Sequence, residues 1–122
     1  MTSKIDEKNT IGLIEEVILK NKVTNEAVKI KARIDTGAHS NSIDSNLAKE
    51  LSLGPSIKTT VVKSANGYSL RQVFNVDVII KDKKIEGKFT IADRSKMKYK
   101  ILIGRDILSR INLLIDPQKN NI

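Results

Sequence analysis

The chain has 122 residues, enough for one domain with a modest core. It contains no cysteine, which excludes disulfides, thiolate metal sites and cysteine nucleophiles and is compatible with a cytoplasmic setting. A net charge of +8 admits nucleic acid, an anionic surface or an acidic substrate as partner, while an aromatic content of 3% means that Ile, Leu and Val build the core and favour sheet over helix.

Residues 1–10 are polar, lack the apolar core of a signal peptide, and read as a flexible N-terminal segment. No window approaches the length of a membrane span, so no membrane partner is expected. Ile11 to Leu19 reads as a first strand, followed by turn material around Asn21 and Thr24. Val28 to Ile34 alternates strictly between apolar and charged residues. That period of two predicts a strand with Val28, Ile30, Ala32 and Ile34 on the covered face. The alternation stops at Asp35-Thr36-Gly37, a carboxylate presented in a tight turn. Gly37 allows a positive φ or close backbone approach there.

Ser40 to Ile43 continues briefly as strand. Asp44 or Ser45 then caps a short helix carrying Leu47, Ala48 and Leu51, stopped by Gly54-Pro55. Ile57 to Val62 alternates again. Asn66-Gly67, flanked by strand-like arms, signals a hairpin with a type I′ turn, which needs positive φ at both central residues. Two further strands, Val73–Ile80 and Ile85–Ile91, are joined by Lys81 to Lys84. Ile101–Ile103 is a buried strand, Gly104 to Arg110 a helical passage, and Ile111–Ile115 a last strand before Pro117. Many short strands with one or two short helices predict an all-β, barrel-like domain over residues 11–117, with a tail at 118–122.

Two motifs carry a resemblance. Asp35-Thr36-Gly37-Ala38 is similar to the active-site signature of retropepsin-like aspartic peptidases. Ile101-Leu102-Ile103-Gly104-Arg105-Asp106 resembles the apolar strand and short Gly-Arg helix that close the same fold. Ala92 to Tyr99 and Leu114-Ile115-Asp116-Pro117 further resemble the family known as ATP-dependent zinc proteases, associated with RimK-type glutamate ligases. The resemblance covers roughly residues 11–117 and implies a closed acid-protease β-barrel.

The chemistry that this implies needs two carboxylates sharing one proton, one acting as base toward water and the other as acid toward the substrate carbonyl. The chain has one Asp-Thr-Gly, so the pair must come from two copies of Asp35 across a two-fold axis. A homodimeric aspartic endopeptidase is therefore the expectation, with Asp35, Thr36 and Gly37 as its catalytic loop. By resemblance, Thr36 holds the two loops together across the axis. Ala38 lines the substrate site, and Ala65, Asn66, Gly67 and Tyr68 form a flap that excludes water. Ala38 carries no hydroxyl to bond the ionised acid, which predicts activity nearer neutrality than in acid-adapted relatives. Gly104 and Arg105 are structural and dimer-supporting residues. Relatives pair the arginine with an acid just after the turn, but His39 occupies that place here, so backbone carbonyls near the turn are the alternative partners of Arg105.

His39 is the only histidine and no His-Glu-x-x-His pair exists, so no metal is expected despite the zinc label. No Gly-rich Lys-Ser/Thr loop is present, and no cofactor is expected. The substrate is a peptide or protein, and association with a glutamate ligase suggests acidic or glutamylated tails. A non-catalytic peptide-binding module of the same fold is the second reading. A small basic nucleic-acid binder is the third, weakened by the lack of stacking aromatics.

Overall fold

The computed structural model describes residues 9–56, 58–64 and 67–119. In chain order these form β1 (Thr10–Ile11), β2 (Ile14–Lys20), β3 (Ala27–Ile34), β4 (Asn41–Asp44), α1 (Ser45–Glu50), β5 (Lys58–Ser64), β6 (Gly67–Ile80), β7 (Lys83–Ala92), β8 (Ile101–Ile103), α2 (Arg105–Leu108) and β9 (Leu114–Ile115). The strands β2-β3-β8-β4-β7-β6 pair in that order, and β6 pairs back onto β2, closing a barrel. Closure removes the unpaired edges that an open sheet of this size would present.

The alternation of β3 is obeyed: Ala32 and Ile34 are buried, Val28 and Ile30 half-buried, and Lys29, Lys31 and Arg33 exposed. With Val17, Leu19, Ile43, Val76, Val78, Ile80, Phe89, Ile101, Ile103 and Ile107 they fill the interior. β-Branched side chains dominate that interior, so few rotamers are lost on packing.

β6 is long enough to serve two roles. Its second half pairs with β7, from Val73↔Thr90 to Ile80↔Lys83, while its first half pairs only with β5, from Val73↔Lys58 to Gly67↔Ser64. The β5–β6 hairpin therefore extends from the barrel. Its register places Gly67, at φ 105, in the ladder opposite Ser64. Gly67 is thus a strand residue, not the second central residue of an Asn-Gly turn, because the long ladder sets the pairing. Ala65 and Asn66 lie outside the described residues. Positive φ at consecutive turn positions occurs instead at Lys81 and Asp82, which join Ile80 to its partner Lys83 as a two-residue loop demands.

Other boundaries differ from the sequence reading for local reasons. The first expected strand divides at Gly12-Leu13: β1 pairs in parallel with β9, and β2 joins β3. β1 takes in Thr10, which is buried. Asp44 caps α1 by accepting from the Asn46 amide. The helix closes at Leu51 and Ser52, whose φ of 55 turns the chain before Gly54 is reached. Asn112, at φ 59, breaks the expected Ile111–Ile115 strand and leaves Leu114–Ile115 as β9.

Candidate active site

Asp35 follows the last residue of β3, where the barrel wall ends. Its amide donates to the Ile103 carbonyl at 2.9 Å, continuing the parallel β3–β8 pairing by one residue. The chain then leaves the sheet. The Gly37 amide donates to Asp35 Oδ1 at 2.9 Å, which fixes the carboxylate over the turn in the manner of an Asx-turn. A Cβ at Gly37 would stand 3.2 Å from the same oxygen, so the absence of a side chain lets the loop fold over the acid.

The loop after Asp35 is bound to the start of α2. Arg105 and Asp106 donate their amides to the Ala38 and His39 carbonyls at 2.8 and 3.0 Å. Arg105 Nη1 donates to the Thr36 carbonyl at 3.2 Å; its partner is a backbone carbonyl of the turn. A Cβ on Gly104 would lie 2.4 Å from the Ser40 carbonyl oxygen and 2.8 Å from that of Ala38. Only glycine lets the two segments approach this closely.

Asn41 completes the lock, a role that no local sequence pattern announced. It is fully buried. Its Nδ2 donates to the Lys88 carbonyl at 2.9 Å and to Asp106 Oδ2 at 2.7 Å, and its Oδ1 accepts from the Gly104 amide at 2.9 Å. One amide side chain thereby joins β4, β7 and the entry to α2. Asp106 Oδ2 also accepts from the Lys88 amide and lies 3.4 Å from Arg110.

Beside this loop lies a groove of about 740 Å³, bounded by Gly37 to Ser40, Ser42, Thr90, Leu102 and the inner side of the β5–β6 hairpin. Its charged lining is mostly cationic: Lys58, Lys63, Arg71, Lys88 and Arg94, against Asp106. Ala38 is therefore in the groove wall, whereas Tyr68 is an exposed residue near the hairpin's far end. Thr36 is exposed at the turn.

Arg94 also lines the groove, although local pattern does not single it out among the surface lysines of its segment. It is only 8% exposed. Its amide donates to Asp44 Oδ1 at 2.8 Å and its Nε to the Tyr99 carbonyl at 3.0 Å. Burial holds the guanidinium below the ordinary arginine range. Arg33 and Arg71 push in the same direction, while Asp44 and Asp35 oppose them. An arginine keeps its charge under such pressure. No local signal identifies it, since Lys98 to Lys100, nearer to β8 in the same segment, border a different cavity.

Among the described residues, no group of three or more His, Asp or Glu side chains is placed to hold a metal ion. The described His, Asp and Glu side chains therefore do not make up a catalytic zinc centre, which needs three protein ligands around an open position.

Many solved structures share the fold, among them the following three. A Legionella pneumophila protein of unknown function aligns with a TM-score of 0.60 at 20% identity, over 91% of this chain and 94% of that one. The protease of simian foamy virus aligns with a TM-score of 0.55 at 21% identity, over 80% and 96%. EIAV protease, in complex with the inhibitor HBY-793, aligns with a TM-score of 0.62 at 20% identity, over 79% and 84%. No curated protein matches the sequence. Residues 43–122 match the RimB-like family model, described as retropepsin-like aspartic endopeptidase RimB, and the chain belongs to that family.

Proposed function

We propose that the chain is an aspartic endopeptidase that works as a homodimer, each subunit giving Asp35 to a shared pair of carboxyls. The observation that carries this reading is the Asp35 turn. A carboxylate stands at the end of a barrel strand, oriented by the Gly37 amide, with the following loop held by α2 and leading into a groove. A single carboxylate can act as base or acid, but peptide hydrolysis by this route needs both at once. The second acid is the Asp35 of another copy, related by two-fold symmetry. In the dimer, one carboxylate takes a proton from water as that water attacks the peptide carbonyl. The other gives its proton to the carbonyl oxygen; the first then passes the water proton to the leaving nitrogen as the C–N bond breaks, and the second takes a proton back from the collapsing diol, which restores both acids. Thr36 and Gly37 hold the two turns in register, and the β5–β6 hairpin, with Gly67 and Tyr68, covers the groove.

The cationic lining favours an acidic peptide, such as a glutamylated protein tail. Exposed Leu114, in β9, and Leu13, shortly after β1, offer apolar surface for subunit contact.

The test compares wild type with Asp35→Asn on glutamate-rich peptides, alongside sedimentation. The substituted asparagine retains an Oδ1 for the Gly37 amide, so folding and dimerisation should persist. Turnover should fall by about a thousandfold or more. Equal turnover in both proteins, or full activity in a strict monomer, refutes the shared pair.

A further inference from the structure

The groove contains polar side chains that the fold does not use. Ser42 lies in β4 between Thr90 of β7 and Leu102 of β8, and it is 8% exposed. Its Oγ is buried and has no hydrogen-bond partner. Leaving a buried hydroxyl unpaired costs about 1–3 kcal/mol, a cost that a water or a ligand group in the groove would relieve. Thr90 Oγ1, by contrast, is already satisfied by the Asn41 carbonyl. The side chain of Arg94, also buried and also lining the groove, commits its Nε to Tyr99. Among the described residues, its two terminal nitrogens make no protein hydrogen bond. The one acid in the lining, Asp106, is held by Asn41, the Lys88 amide and Arg110, and so does not compete for the guanidinium.

These groups are hydrogen-bond donors facing a cationic groove. A carboxylate, which only accepts, satisfies a guanidinium fork and a hydroxyl together. Their position along the peptide follows from the sheet. Leu102 stands between Ser42 on one side and Arg33 on the other, so Ser42 is two strand spacings, about 10 Å, from the strand that ends at Asp35. Along an extended peptide that distance corresponds to about three residues. The opposing influence of Asp35 on Arg94 is in keeping with this proximity.

We propose that Arg94 and Ser42 form a carboxylate-binding subsite in the groove, which reads one glutamate or aspartate side chain at a fixed position within about three residues of the scissile bond. The inference rests on the groove being the peptide site proposed above. It goes further by separating one directional contact from the diffuse attraction of Lys58, Lys63 and Lys88, which salt screens.

The experiment measures binding, so that it does not depend on turnover. Asp35→Asn enzyme is titrated calorimetrically with an octaglutamate peptide and with its set of single glutamine replacements, in low and high salt. Glutamine at one position should weaken binding about thirtyfold, and that penalty should persist in high salt, while the others are small and fade. Adding Arg94→Gln should abolish the penalty at that position alone. Ser42→Val, which keeps a strand-compatible side chain, should reduce it about fivefold and guards against a folding defect in the arginine variant. Uniform penalties that vanish together in salt, an unchanged pattern in Arg94→Gln, or no binding of any peptide each overturn the subsite. Failure of the peptidase reading looks different: the binding pattern stands, but wild type cleaves none of these peptides.

Discussion

The two sides of the groove are built on opposite principles. The floor, from Asp35 to Asn41 and the start of α2, is tied by backbone amides, a buried asparagine and a glycine with no room for a side chain. The hairpin opposite, β5 and the first half of β6, is held to the barrel through its own ladder, with Tyr68 73% and Leu70 75% exposed. A segment with few buried contacts opens at low cost, whereas one tied by buried hydrogen bonds opens only with the domain. The contrast suits the proposed peptidase, in which Asp35 stays fixed while the hairpin moves as a cover.

The largest effect expected from breaking that contrast is at Gly104. In Gly104→Ala the new methyl meets the Ser40 and Ala38 carbonyl oxygens. Backbone cannot yield as a flexible side chain can, so a loss of about 3 kcal/mol or more, read by chemical denaturation, is expected. The matching change on the hairpin, Gly67→Ala, meets no atom within 4 Å and is strained only by its φ of 105; it should cost about 1 kcal/mol. Comparable losses at both positions would mean that the floor is no stiffer than the cover.

A smaller effect sharpens the same distinction through activity. Val61→Ser removes an exposed apolar side chain of the hairpin that lines the groove and should change stability by less than about 1 kcal/mol. If the hairpin closes over the peptide, kcat/KM falls about tenfold, since closure then loses apolar contact. Unchanged kinetics would make it a surface hairpin without a covering role.

The smallest effect concerns the turn before β8. The Ser95 hydroxyl and amide both donate to Asp93 Oδ1, at 2.6 and 3.0 Å. These bonds, the hydroxyl's first, hold the Asp93 carboxyl below its ordinary range, with help from Lys96 and Lys100. A folded-state value lower than the unfolded one stabilises the fold above the unfolded value and loses that stabilisation as pH falls through the folded one. Asp93→Asn should therefore lower the melting temperature slightly near neutrality, and the two proteins should converge in strong acid.

Local pattern in the sequence determined a good deal. The covered face of β3, the Asp-Thr-Gly turn at its end, the buried run Ile101–Ile103 and the Asp44-capped helix are each written in neighbouring residues, because periodicity and capping act over a few positions. Tertiary structure alone decided that β4 pairs in parallel with β7, that Asn41 joins three segments, that Gly67 enters a ladder, and that Arg94 and Ser42 face a groove. An alternating strand records that one of its faces is covered but not by which partner. Those choices are made by contacts between residues dozens of positions apart, and they are settled when the barrel closes.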